Sequence, residues 1–146
     1  MFKKILYPTD FSAVAKSALP FIKQFKEAGA EEVILVHVLD KTRHEALAMY
    51  PGPGTRIAEI EEHWRTEALD KLKIIADELE KEGLKVKIRL EVDSPFRGIL
   101  KVEEDEDVSV TLIGSHGISN IQEMFLGSVA EKVIRKAKKP VFVVKR

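Results

Sequence analysis

Apolar positions recur along this chain with two alternating periods. Ile5-Leu6-Tyr7, Val33 to Leu39, Val108 to Ile113 and Val141 to Val144 are short, nearly unbroken apolar runs. Runs of that kind are what strands buried on both faces look like. Leu84 to Val92 alternates apolar and polar and is expected as a further strand, third in chain order. Between these runs the period lengthens to that of a helix. Ala15, Leu19, Ile22 and Phe25 mark one helix, capped by Ser12 and ended by Gly29, with a kink or break expected at Pro20. Ile57, Ile60, Trp64, Ala68, Leu72, Ile75 and Leu79 mark a long amphipathic helix ending at Gly83, in which Trp64 is expected as core. Ser94-Pro95 opens a short helix with the acidic run Glu103 to Asp107 after it. A last helix runs from Ser128 to Ala137, with Val129, Val133, Ile134 and Ala137 at helical spacing. Only Lys41 to Thr55, containing Pro51-Gly52-Pro53-Gly54, is irregular or partly helical.

Strands alternating with helical connections imply an α/β fold: one doubly wound, five-stranded parallel sheet with helices on both faces. The 146 residues are read as a single domain, 1-146. Ligands of such sheets bind at the carboxyl ends of strands where the strand order reverses.

Charge and composition exclude several classes. Lys plus Arg equals Asp plus Glu, 24 each, so no net field draws the chain to nucleic acid or anionic lipid. There is no cysteine for a disulfide or thiolate metal site, and no apolar run approaches membrane-spanning length. A cytoplasmic protein is expected. The high charge content, with one Asn and two Gln, is a composition common in heat-adapted proteins.

Chemistry concentrates at the strand ends. Gly114-Ser115-His116-Gly117 follows the fourth strand, and Gly127-Ser128 opens the last helix. Glycines let the backbone approach a ligand, and the N–H groups of a helix start attract anions. Pro8-Thr9-Asp10 ends the first strand and Val38 to Asp40 the second, so three clusters line one crevice if the first and fourth strands are neighbours. The Walker pattern is absent, as are a nucleophile elbow and any zinc spacing. A receiver-type phosphorylation site needs an acidic pair after the first strand, and Thr9-Asp10 provides one acid. His37, in an apolar strand, is read as a satisfied core histidine.

The chain resembles the universal stress protein family over essentially its whole length. The resemblance rests on Lys4 to Ser12, on Val36-His37-Val38, on the G-x2-G-x9-G-S pattern from Gly114 to Ser128 continued by Val129-Ala130, and on Lys139 to Val144. It implies strand order 3-2-1-4-5 and a homodimer joined through the C-terminal strand Val141-Val144. The glycine pattern implies the ATP-binding subgroup. Carried over, Pro8, Thr9 and Asp10 would face the nucleotide and Val38 would hold adenine through its backbone. Ile113, a tolerated replacement for a frequent methionine, together with Gly114, His116 and Gly117, would border ribose and phosphates. Gly127, Ser128 and Val129 would cradle the phosphates. The loop from Ile118 to Leu126 carries no Lys or Arg where the family is often basic. Triphosphate charge then calls for Mg2+ or Mn2+, with Asp10 helping to hold it, or for basic residues from elsewhere. The implied function is an ATP-dependent (or ADP- or AMP-dependent) switch with a protein partner in the stress response, binding nucleotide rather than hydrolysing it efficiently. The alternative is a nucleotide-free dimeric interaction protein on the same fold.

Overall fold

The computed structural model describes residues 1–116 and 126–145. Its sheet is formed by β1 (Lys4–Pro8), β2 (Glu32–Asp40), β3 (Lys85–Asp93), β4 (Val110–Gly114) and β5 (Val141–Val144). All pairings are parallel and the order is β3-β2-β1-β4-β5, the order implied by the sequence resemblance. The order reverses between β1 and β4, which places the carboxyl ends of β1, β2 and β4 around one crevice.

The helices are α1 (Ala13–Lys16), α2 (Leu19–Glu27), α3 (Lys41–Met49), α4 (Ile57–Lys81), α5 (Pro95–Asp105) and α6 (Ser128–Lys136). The helix expected from Ser12 to Gly29 is interrupted at Ser17-Ala18. Pro20 has no N–H to donate, so it is accommodated in the first turn of α2. Ser12 caps α1, its Oγ accepting from Ala15 N–H at 3.1 Å. The irregular connection after β2 contains α3, capped by Asp40, whose Oδ1 accepts from Thr42 N–H at 3.0 Å.

One boundary expectation is corrected. Glu103 to Asp105 belong to α5 instead of following it. Glu103 is buried because partners outside its own helix satisfy its carboxylate, which accepts from Thr111 Oγ1 at 3.0 Å and Lys138 N–H at 2.9 Å.

Period-two alternation splits the core in two. Ile5, Tyr7, Val33, Leu35, Val110 and Leu112 face α2 and α4. Leu6, Ile34, Val36 and Ile113 face α5 and α6. Full burial of such side chains contributes roughly 1.5–3 kcal/mol each. On β3, Lys87 and Arg89 share one face and meet acids of α5 and its end. Glu106 receives Lys87 at 2.7 Å and Arg89 at 2.8 Å, and Arg89 also reaches Asp105 at 3.1 Å. Among the described residues no helix is long and apolar enough to cross a membrane.

Candidate functional site

The carboxyl ends of β1, β2 and β4 open onto a cavity of about 570 Å³, within the range of small-molecule sites. Pro8, Thr9 and Asp10 line it after β1, and Val36 to Asp40 of β2 form its next wall. Ile113, Gly114 and His116 contribute from β4 and its end, and Gly127 to Ala130 from the start of α6. Every described residue proposed from the sequence therefore lies on this one cavity. Gly117 lies outside the described residues, as does the loop through Met124 and Phe125.

The β1 turn is held by short-range bonds. Thr9 Oγ1 accepts from Phe11 N–H and Asp10 Oδ1 from Ser12 N–H, both at 3.0 Å. Phe11 sits at φ 66°, a left-handed conformation that costs a bulky residue energy and is maintained by its surroundings. Its ring packs on His37 with centroids 4.5 Å apart. His37 Nδ1 donates to Thr9 O at 2.7 Å, since a carbonyl can only accept. Burial pushes the His37 pKa down, against the opposing pull of that bond and of the Asp10 charge. The neutral ring is thus a brace for the turn, in keeping with its reading as a satisfied histidine.

Val38 has an unusual backbone position. Thr9 N–H donates to Val36 O at 2.9 Å, so the polar groups of Val36 point toward β1. Those of Val38, two residues on, point the same way. But β1 has ended at Pro8, opposite Val36, and Thr9 O is engaged by the His37 ring. One donor and one acceptor are thereby presented past the end of β1. On the other side of its strand, Val38 keeps Glu91 of β3 as its register partner.

At the opposite end of the cavity the chain leaves β4 and returns at α6. Gly127 N–H donates to Ser115 O at 2.7 Å, tying the two ends together. Ser115 Oγ and His116 Nδ1 are hydrogen-bonded at 2.8 Å. Gly114 lets α1 approach, because an added Cβ would meet Val14 Cγ1 at 3.1 Å and Val14 backbone at 3.3 Å. The N-cap of α6 is Gly127, which supplies no side-chain acceptor. The first-turn N–H groups have no acceptor within the helix, and helix starts of this kind attract anions.

Several lining residues escaped the sequence reading. Pro95 and Ile99 come from α5, Arg43 and His44 from α3, and Trp64 from α4. Trp64 corrects the expectation of a core residue. It is half-buried, belongs to neither core cluster, and lies under the Arg43 guanidinium, 3.8 Å from the ring centroid. Arg43 is the only Lys or Arg among the described lining residues, and it enters from the β2 side. The signal available in the sequence was position: a segment directly after a strand's carboxyl end starts beside the crevice.

No group of three or more His, Asp or Glu stands together to hold a metal among the described residues. Asp10 is a single carboxylate, and one of its oxygens is already bonded to Ser12 N–H. Its chemistry suits a cation that brings most of its ligands with it as phosphate oxygens and water.

The model of the universal stress protein family matches residues 1–145. Universal stress protein MJ0577 of Methanocaldococcus jannaschii is 44% identical, the match covering all of this chain and 96% of that protein. The solved structure of MJ0577 superposes with a TM-score of 0.88 at 46% identity, over 100% of this chain and 97% of that one. A universal stress protein from Archaeoglobus fulgidus, solved in complex with dAMP, is 27% identical with a TM-score of 0.66, covering 99% and 98% of the two chains. Family match, fold and strand order agree, and this chain belongs to the universal stress protein family.

Proposed function

We propose that the crevice binds ATP, or its relatives ADP and AMP, and that the protein acts as a nucleotide-dependent switch with at most slow hydrolysis. The carrying observation is the pairing of two sets of backbone polar groups, those of Val38 and those at the start of α6, on either side of β1. Val38 offers one donor and one acceptor beyond the end of β1, which is what an adenine edge needs. The start of α6 offers N–H groups to phosphate. Val38 lies on β2, and the start of α6 is tied to Ser115 just past β4. With β1 between them, β2 and β4 run about 10 Å apart, on the scale of a nucleotide from base to phosphates. The dAMP complex of the Archaeoglobus relative supports an adenine nucleotide as ligand.

In this reading Pro8, Thr9 and Asp10 border the ribose, and Ile113, Gly114, His116 and Gly117 flank sugar and phosphates. Gly127, Ser128 and Val129 bind the phosphate oxygens. Mg2+ or Mn2+ would supply positive charge at the phosphates, with Asp10 as its protein carboxylate. Among the described residues no lysine lines the cavity to span β- and γ-phosphates, and Arg43 comes from the β2 side, which favours holding over turnover.

The switch is assigned to the segment Ile118 to Leu126, whose state a partner protein would read. Hydrogen exchange there should slow in saturating ATP. Unchanged exchange with ATP bound would remove the switch and leave a nucleotide store. The homodimer through Val141-Val144 is supported by β5 being a sheet edge.

A further inference from the structure

We propose that Arg43 and Trp64 form the outer wall of the base pocket, a stacked guanidinium–indole pair that covers the nucleobase and does not bind the phosphates. This rests on the nucleotide reading above.

The pair is built as a wall. The Arg43 guanidinium lies 3.8 Å from the Trp64 ring centroid, and the His44 ring meets the same indole edge-on at 5.2 Å. His44 Nδ1 in turn donates to Asp40 O at 3.3 Å, which ties the group to the end of β2. All three residues line the cavity, yet α3 has no buried residue. The buried residues of α4 begin at Ala68, so Trp64 stands one turn beyond the part of α4 that covers the core. An indole placed there presents its large flat surface at the crevice instead of filling the interior.

Topology decides which part of a nucleotide the wall meets. α3 begins directly after β2, the strand that carries Val38, while Gly127 follows β4 on the far side of β1. Arg43 is thus at the base end. α4 packs on one face of the sheet and α5 on the other. A flat ring hydrogen-bonded to the Val38 backbone would therefore lie between Arg43 and Trp64 on one side and Pro95 and Ile99 on the other. A guanidinium already backed by an indole is a planar, weakly hydrated cation suited to stacking on a base. A purine offers it more area than a pyrimidine.

Trp64 is the sole tryptophan, so its emission reports on the wall directly. The intact protein is titrated with ATP, adenosine and inorganic tripolyphosphate, by fluorescence and by calorimetry. ATP and adenosine should change the emission, and tripolyphosphate should not. Arg43→Ala and Trp64→Leu should each weaken ATP and adenosine about tenfold and leave tripolyphosphate unaffected. Trp64→Phe, which keeps an aromatic face, should retain most of the affinity. If Arg43→Ala weakens tripolyphosphate as much as ATP, Arg43 is a phosphate ligand and the proposal is overturned. Unaltered ATP affinity in both variants overturns it too, with the nucleotide reading intact. If the wild-type protein binds none of the three, both readings fall together.

Discussion

A Cβ added to Gly98 would stand 2.6 Å from Val38 Cγ2 and 2.8 Å from Val38 Cγ1. Helix α5 and strand β2 therefore meet with no room for a methyl group at the residue whose backbone faces the proposed base. Gly98→Ala should push Val38 toward the crevice. The overpacking cost is about 1–3 kcal/mol, partly offset by about 1 kcal/mol from alanine's better helix propensity. Urea unfolding should show modest destabilisation, and calorimetry a larger loss of ATP affinity. Unchanged affinity would mean that Val38 yields without disturbing the pocket.

Ser128→Asp separates the site from the fold, because its two effects have opposite signs. An acid in the first turn of α6 favours the helix by about 0.3–1 kcal/mol. The same charge repels phosphate from the N–H groups. Thermal stability should be unchanged or higher while ATP affinity falls at least about tenfold, with adenosine little affected. Equal loss for adenosine and ATP would move the phosphates away from α6.

Acid should weaken the fold in two stages. Burial lowers the His37 pKa, so the unfolded chain binds a proton that the folded one refuses. That contribution is complete above about pH 6.5 and declines below it. Lys87 first, then Arg89, hold the Glu106 carboxyl below its usual range, and Arg89 does the same to Asp105. Their contribution is present above about pH 4.5 and is lost as pH falls further. Unfolding free energy followed against pH should show both declines, and His37→Gln should remove the first. A first decline that persists in His37→Gln would assign it to another group.

The proposed dimer edge can be tested through its backbone. Ser115 N–H donates to Val144 O and Thr111 N–H to Pro140 O, so even-numbered residues of β5 face β4 and Val143 N–H points outward. The Val143 side chain packs against the core, so a charged substitution there would damage the fold as well. Val143→Pro removes the outward donor and leaves the β4 ladder intact. It should yield monomers in light scattering with the circular dichroism of the folded protein. A folded dimer would place the interface elsewhere.

The sheet and most of the crevice were legible because buried parallel strands read as continuous apolar runs and their carboxyl ends carried glycine, proline and polar residues. Trp64 was not. Its spacing from Ile60 and Ala68 is the spacing of a core stripe, and only the position of α4 along the sheet puts it at the crevice. Gly98 lies inside α5, and what forbids a side chain there is Val38 of the neighbouring strand, a contact that the sequence of α5 does not carry. Glu103 was placed outside its helix because its partners, Thr111 and Lys138, lie 8 and 35 residues away. α3 left no apolar stripe because it buries none of its residues.

The most direct measurement is a calorimetric titration of ATP into the purified protein, with and without Mg2+, after assaying the preparation for nucleotide already bound. Micromolar affinity, worth about 8 kcal/mol, is expected, and it should tighten with Mg2+ because Arg43 is the only Lys or Arg among the described lining residues. A folded, nucleotide-free protein that gives no binding heat with ATP at any Mg2+ concentration would contradict the nucleotide reading. The glycine-bearing loop would then be architecture, and the proposed dimer surface would be the place to look for function.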